Sequence, residues 1–287
     1  MRSWDRRIRG WVDAGSQWTD HRRGDIAWMR RKREFEAELA RLRETRTWVF
    51  IVGCNNSGTT LIHDLLASTG QFSFMPHEGQ RYTQVLRRAQ KKGHERVWSE
   101  YLPELRLGAN DPMQGVPRLW FDWLAAANHP VKDRILEKTT ANAVRMKWLQ
   151  AAFPRSAFVG TVRNPYAVAE GIKRKGGKDV ARGARHWRRV NEIMLEDARD
   201  VRRFLLTRYE DFVAAPERLT QQLENVLGVG SRAGPIAIAD SARDIRDMNA
   251  ASIDRLSADE IGIVTAEAGE LVPRMGYAPL QTGRITK

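Results

Sequence analysis

The run TWVFIVGCNNSGTTLIHDLL, residues 47 to 66, restricts the possible folds of this chain more than any other stretch. An apolar segment rich in β-branched residues leads into a turn bracketed by Gly53 and Gly58, and an apolar-periodic segment follows. That order reads as a buried strand, a glycine-bearing loop and a helix, a unit of parallel α/β sheets. Gly53 and Gly58 let the backbone turn tightly, so successive amide N–H groups can point into the loop, and the helix begun near Thr59 presents its positive end to an anion. In the nucleotide-hydrolysing form of such a loop, G-x-x-x-x-G-K-[ST], the lysine reaches the β/γ-phosphates and the next hydroxyl holds magnesium. Thr59 occupies the lysine position here. The loop therefore reads as a phosphate holder that lacks the lysine for splitting a triphosphate; the plainer alternative is an ordinary strand-to-helix connection.

A second segment, SAFVGTVRNPYAVAEGI at residues 156 to 172, reads as a strand ending at Arg163, a turn at Asn164 and Pro165, and a helix starting near Tyr166. Proline suits the helix start because its φ is preset and its missing N–H is not needed there. Arg163 then places a planar, permanently charged fork at a strand end, where open α/β sheets bind ligands. A surface salt bridge is the alternative role.

Together these segments resemble the sulfotransferases that use 3′-phosphoadenosine 5′-phosphosulfate (PAPS). GCNNSGTTL is similar to their 5′-phosphosulfate loop, commonly G-x-P-[RK]-[ST]-G-[ST]-[ST], which implies donor contacts from Gly53, Cys54, Asn55, Asn56, Ser57, Gly58, Thr59 and Thr60. TVRNP is similar to their 3′-phosphate segment, V-R-[ND]-P followed by a helix with a serine eight residues after the arginine. FLLTRYEDFVAAPERLTQQLENVLGV, residues 204 to 229, resembles the family's late strand, R-Y-E-D turn and helix, with Tyr209 near the nucleotide. RILEKTTANAVRMKWLQAAFPRSAFV resembles the segment that leads into the Arg163 strand, and the DRLSADEIGIVTAEAGELVPRMGYAP stretch looks like the closing helix. The matches span about residues 47 to 230.

The resemblance implies an α/β three-layer sandwich with a central parallel sheet, like the P-loop nucleoside-triphosphate hydrolases. It sets residues 47–287 as the sulfotransferase-like domain, with an acceptor-pocket region at about 79–130, and residues 1–46 as a helical arm. It also implies in-line sulfuryl transfer from PAPS to a hydroxyl or amine of a small-molecule, carbohydrate or lipid acceptor, with no metal required. Glu78, after FSFMPH, stands where relatives with carboxylate bases carry theirs, and its neighbour His77 is the rival base. Lys138, at the end of RILEK, would offset charge on the sulfuryl group.

Two positions depart from the pattern. Asn56 replaces the loop's basic residue, and Gly171 stands where the serine should be. Lys175, twelve residues after Arg163, could restore charge near the 3′-phosphate, and the Asn56 amide can still donate. If both are simple losses, restoring Arg at 56 and Ser at 171 should tighten donor binding.

Length and composition leave room for one large α/β core: 287 residues, 42% of them apolar. The net charge of +13 suits a polyanionic donor, but equally nucleic acid or an anionic membrane surface. A single cysteine, Cys54, excludes an internal disulfide framework, and no Cys/His cluster suggests zinc. No stretch approaches the ~20 apolar residues of a membrane span, and the first fifty residues lack the apolar core of a signal peptide, so a cytoplasmic, soluble protein of bacterial type is expected. The arm carries Trp4, Trp11 and Trp18 seven residues apart and a basic run at Arg30, Arg31, Lys32 and Arg33. Its plain reading is a helix docked on the catalytic domain or on a second copy in a homodimer, with peripheral membrane contact as the alternative. No specific nucleic-acid contact is expected. Trp120, Phe121 and Trp123 read as core, while His77, His94, Arg81 and Arg118 supply polarity to the 79–130 region. Two rival functions remain: a P-loop kinase, opposed by Thr59, and a non-catalytic nucleotide- or nucleic-acid-binding protein of the same fold, favoured by Asn56 and Gly171.

Overall fold

The structure, a computed structural model, describes residues 21–227 and 245–281. Strand β1 (Thr47–Gly53) lies at the centre of a five-stranded sheet, between β3 (Arg134–Lys138) and β4 (Ser156–Val162). Beyond β3 lies β2 (Ser73–Phe74), and beyond β4 lies β5 (Phe204–Arg208). Every pairing is parallel, with Val49 opposite Leu136 on one side and Ala157 on the other. The apolar run of β1 and the burial of every residue of β4 follow from this position, because a parallel sheet is covered on both faces.

Alternation along β1 assigns those faces. Trp48, Phe50 and Val52 join one core cluster, and Val49 and Ile51 join another. On the first face lie the short α3 (Leu102–Leu105), α4 (Val116–Ala126), α5 (Met146–Ala152) and α7 (Val180–Ala198), which contribute Leu105, Trp120, Trp123, Leu149 and Trp187. On the second lie α2 (Thr59–Ser68), α8 (Tyr209–Ala214) and α9 (Pro216–Leu227), which contribute Ile62, Leu66, Phe212 and Leu223. The result is the expected three-layer α/β sandwich. Trp48 packs edge-on against Trp120 with centroids 5.4 Å apart, and Trp123 stacks on Phe153 at 5.3 Å. These aromatics are core, as their sequence grouping suggests. A Phe buried as fully as Phe50 contributes about 1.5–3 kcal/mol relative to exposure.

Helix α1 (His21–Thr45) lies across α4 through Trp28 and Phe35, each with its ring centroid 5.4 Å from that of Phe121. Its basic run is partly paired along the helix, Arg31 with Glu34 and Lys32 with Glu36. Trp4, Trp11 and Trp18 lie outside the described residues. Among the described residues no helix is long and apolar enough to cross a membrane.

From β1 the chain visits β2 and β3 on one side before crossing to β4 and β5 on the other. That reversal opens a crevice at the carboxyl ends of the strands, the place where such sheets bind ligands. Each segment singled out from sequence leaves a strand at this edge: residues 54–58 after β1, 75–78 after β2, Lys138 ending β3, Arg163 after β4 and Tyr209 after β5.

Candidate active site

The loop between β1 and α2 can be built only with small or left-handed residues. Gly53 has φ 149° and a Cβ there would strike the Thr161 carbonyl oxygen. Gly58 has φ 92° and a Cβ would lie 2.7 Å from Tyr209 Cδ2. Asn56, at φ 64°, is one of the few residue types that tolerate this conformation. Gly58 caps α2 without a side-chain hydrogen bond, so the amides of the first turn remain available to an anion. Asn55 Oδ1, Asn56 Nδ2 and Ser57 Oγ are buried and have no hydrogen-bond partner among the described residues. Cys54 faces the other way, into the core beneath β1, where burial pushes its thiol far up and leaves it unreactive.

Arg163 ties the next strand to this loop. Its Nη1 donates to the Asn56 carbonyl at 3.1 Å and its Nε to Asn249 Oδ1 at 2.8 Å, while the guanidinium lies 4.2 Å from the Tyr209 ring centroid. Nη2 is buried without a partner among the described residues. A carboxylate behind Arg163 fixes this arrangement: Glu210 accepts from Asn249 Nδ2 at 2.7 Å, from the Asn164 amide at 3.0 Å and from the Tyr277 hydroxyl at 2.9 Å. Asn164 in turn caps α6 (Pro165–Gly176) by accepting from the Tyr166 and Ala167 amides. Sequence reasoning quoted Glu210 within R-Y-E-D but did not single it out, and it missed Asn249 altogether. The first carries a signal, an acid next to Tyr209; the second, 86 residues from Arg163 in the chain, carries none.

Lys175 and Gly171 are one helical turn apart on α6 and act on the same face. Gly171 does not line the cleft. A Cβ there would lie 3.2 Å from Asn56 Cγ and 3.3 Å from its Nδ2, so the absent side chain is the space that the Asn56 side chain occupies. Lys175 does reach the cleft. Burial, followed by the charges of Arg96, Arg174 and Arg163, lowers the pKa of its ammonium.

Opposite stand the candidates for proton transfer. Lys138 Nζ lies 3.7 Å from Glu78 Oε1, and Glu78 Oε2 accepts from Gln80 Nε2 at 2.6 Å. His77 is exposed beside them. The turn that carries both is gripped at Gly79: Glu137 Oε1 accepts its amide at 2.9 Å, and Trp123 Nε1 donates to its carbonyl at 3.0 Å. A Cβ at 79 would lie 2.7 Å from Glu137 Oε1, so glycine is required. Glu137, fully buried, also accepts from Asn142 Nδ2 at 2.6 Å and from the Thr139 hydroxyl, and burial pushes it up to about 7. Sequence reading missed Glu137, because an acid inside an apolar strand gives no local clue to what it holds.

The cleft has a volume of about 770 Å³, and Asn55, Asn56, Gly58, Thr59 and Thr60 form one wall. His77, Glu78, Lys138, Arg163 and Lys175 complete it, joined by Arg81 and Arg96. Gly53, Cys54, Ser57, Gly171 and Tyr209 lie behind these walls: the two glycines give clearance, Cys54 packs in the core, and Tyr209 carries Arg163. Arg118 is elsewhere, paired with Asp25 at 2.9 Å and Asp122 at 2.6 Å, and His94 bonds Glu100 at 2.6 Å. Among the described residues no group of three or more His, Cys, Asp or Glu side chains is placed to hold a metal ion.

No curated protein matches the chain. Among solved structures, the fold is similar to the sulfotransferase domain of the olefin synthase of Synechococcus PCC 7002, with a TM-score of 0.43 and 20% identity, covering 79% of this chain and 96% of that one. It is also similar to the sulfotransferase STF1 of Mycobacterium tuberculosis, with a TM-score of 0.48 and 13% identity, covering 85% of this chain and 84% of that one. Residues 49–231, which contain the loop and every cleft residue named above, match the model of the Sulfotransferase family, and the chain belongs to that family.

Proposed function

We propose that the protein transfers a sulfuryl group from PAPS to a hydroxyl or amine of a small acceptor molecule. The observation that carries this reading is Arg163: a guanidinium locked between the loop and Tyr209, with Nη2 buried and unpartnered among the described residues, across the cleft from the Glu78 and Lys138 pair. One end of the cleft thus offers loop amides, Arg163 and Lys175 to phosphates, and the other offers a carboxylate beside an ammonium.

PAPS supplies the activated sulfuryl group. The chain's residues position and neutralise. Glu78 accepts the acceptor's proton as its oxygen or nitrogen bonds to sulfur, and His77 is the alternative base. Lys138 offsets charge on the sulfuryl oxygens and on the oxygen whose bond to sulfur breaks. The bisphosphate departs with that electron pair, held by the loop amides and Arg163. As in phosphoryl transfer, positioning and electrostatics supply most of the rate, and the sulfuryl group carries less charge for the protein to offset. Thr59 at the position of the phosphate-binding lysine disfavours a kinase.

Calorimetric titration with adenosine 3′,5′-bisphosphate, ATP with magnesium and a random oligonucleotide tests this reading. The bisphosphate should bind in the micromolar range or tighter and raise the thermal midpoint. Equal binding by ATP with magnesium removes the claim of 3′-phosphate selectivity. Binding by the oligonucleotide alone would support the non-catalytic alternative.

A further inference from the structure

Resting on the reading of the cleft as a donor site, we infer that Arg96 supplies the cation missing from position 56 and pairs with a phosphate of the nucleotide donor. Arg96 lies in the region expected to shape the acceptor pocket, yet its side chain is at the donor end. Its Nη1 donates to Asn56 Oδ1 at 3.3 Å, so the loop residue that lacks a charge holds one that arrives from forty residues away. Arg96 lines the same cleft as Arg163 and Lys175; both arginines donate to Asn56, and the charges of both act on Lys175.

The backbone is arranged to keep it there. Arg96 has φ 67°, a conformation disfavoured for a long side chain and kept only where the surroundings enforce it. Those surroundings are α6 and α7. Lys178 pairs with Glu95 at 3.6 Å, Arg182 donates to the Gly93 carbonyl at 3.2 Å, and Arg182 also grips both oxygens of Glu100 at 2.7 Å. Ser99 Oγ meets His186 Nδ1 at 2.7 Å, and buried Trp98 packs edge-on against the same ring at 4.9 Å. Residues 93–100 are therefore fastened to the helices that follow Arg163.

Helix α6 also makes room for both partners. Gly171 clears Asn56, and at Gly176 a Cβ would lie 3.2 Å from Arg96 Cδ. The two glycines lie five residues apart on the helix that carries Lys175. Three cations converge without an acid of their own number in the cleft wall other than Glu78 and Glu95, and Glu95 is drawn to Lys178. Their mutual repulsion is relieved when an anion enters, which is the electrostatic condition for binding one.

Isothermal titration of adenosine 3′,5′-bisphosphate into the wild-type chain, Arg96→Gln and Arg96→Lys tests the assignment. Arg96→Gln should weaken binding at least about tenfold, the loss of one charge-assisted contact, and Arg96→Lys should stay within about threefold. The thermal midpoints of the free proteins should agree. Equal affinity of Arg96→Gln and wild type overturns the inference, as does equal weakening in both variants, which would make Arg96 a prop for Asn56. A measurement on the wild type covers the case in which Arg96→Gln does not fold: phenylglyoxal modification followed by peptide mass spectrometry. Bisphosphate should slow labelling of Arg96 but not of exposed Arg30, and an unchanged rate at Arg96 overturns the inference. A wild-type chain that binds no bisphosphate defeats the donor reading itself and this inference with it; a wild type that binds while Arg96→Gln is equivalent defeats the inference alone.

Discussion

Replacing Glu137 by Gln should flatten the pH dependence of stability on the acid side of neutrality. Glu137 is fully buried, and burial outweighs the donors from Thr139, Gly79 and Asn142 to push it up to about 7 from an ordinary 4.5. Its folded value is thus above its unfolded one, so the native state binds more protons between those limits. Stability from this group is complete below about pH 4.5 and is lost as pH rises through about 7. A gap of about 2.5 units corresponds to on the order of 3 kcal/mol, most of it falling between about pH 5 and about pH 8. Glutamine cannot titrate, so the wild-type stability minus that of Glu137→Gln isolates the term. Urea unfolding at a series of pH values should show this difference falling by about 2–3 kcal/mol across that range. Parallel profiles within about 0.5 kcal/mol would refute the reasoning, and a difference that rises with pH would mean that the three donors outweigh burial. The same titration reaches the site: a protonated Glu137 faces donors with a donor of its own, loosening the Gly79 turn that carries Glu78, so turnover should fall below about pH 7.

Arg163→Ala should weaken bisphosphate binding by about 2 kcal/mol or more in calorimetry, since it removes a charged contact and takes the Arg163 donors from the Asn56 carbonyl and Asn249 Oδ1; a loss under threefold would place the phosphate elsewhere. Glu78→Gln should lower turnover at least about a hundredfold with bisphosphate affinity within about twofold. The same pattern in His77→Ala and not in Glu78→Gln would reverse the two roles, and neither would move the reacting group away from this turn. Asn56→Arg and Gly171→Ser, made separately, should fail to tighten bisphosphate binding: position 56 is left-handed and already beside Arg96, and a side chain at 171 meets Asn56 at 3.2 Å. A tenfold gain from either would show a simple loss at that position.

What could be read from the sequence was what neighbours in the chain determine. Gly53 and Gly58 mark a turn whose geometry depends on their own φ values, and Pro165 marks a helix start whatever packs on it. Strand β1 announces its burial through an unbroken apolar run, and the two-residue alternation that separates Trp48 from Val49 needs only that strand. Arg163 could be placed because it ends the next parallel strand. Glu137, Asn249 and Arg96 could not, because each works through a partner brought near by the fold: Gly79 lies 58 residues from Glu137, Asn249 lies 86 from Arg163, and Arg96 lies 40 from Asn56. Within residues 79–130, Trp120 and Trp123 are core, as their grouping suggests, Arg118 faces α1, and Arg96 reaches Asn56 of the phosphate loop, a place that only the fold supplies.

This bears on whether Asn56 and Gly171 are signs of decay. Erosion of a binding site removes groups one at a time, and each removal leaves a cavity or an unmatched charge behind. Here the replacements fit one another. The side chain missing at 171 is the volume that Asn56 fills, the amide at 56 accepts from Arg96, the side chain missing at 176 admits the stem of Arg96, and Lys178 and Arg182 fasten the segment that brings it. Fit among six positions drawn from three segments is costly to assemble by chance and is kept where a site still binds its ligand. If Arg96 pairs with a donor phosphate as inferred, the loop draws its charge from another segment, and Asn56 and Gly171 cease to be evidence of a lost donor site.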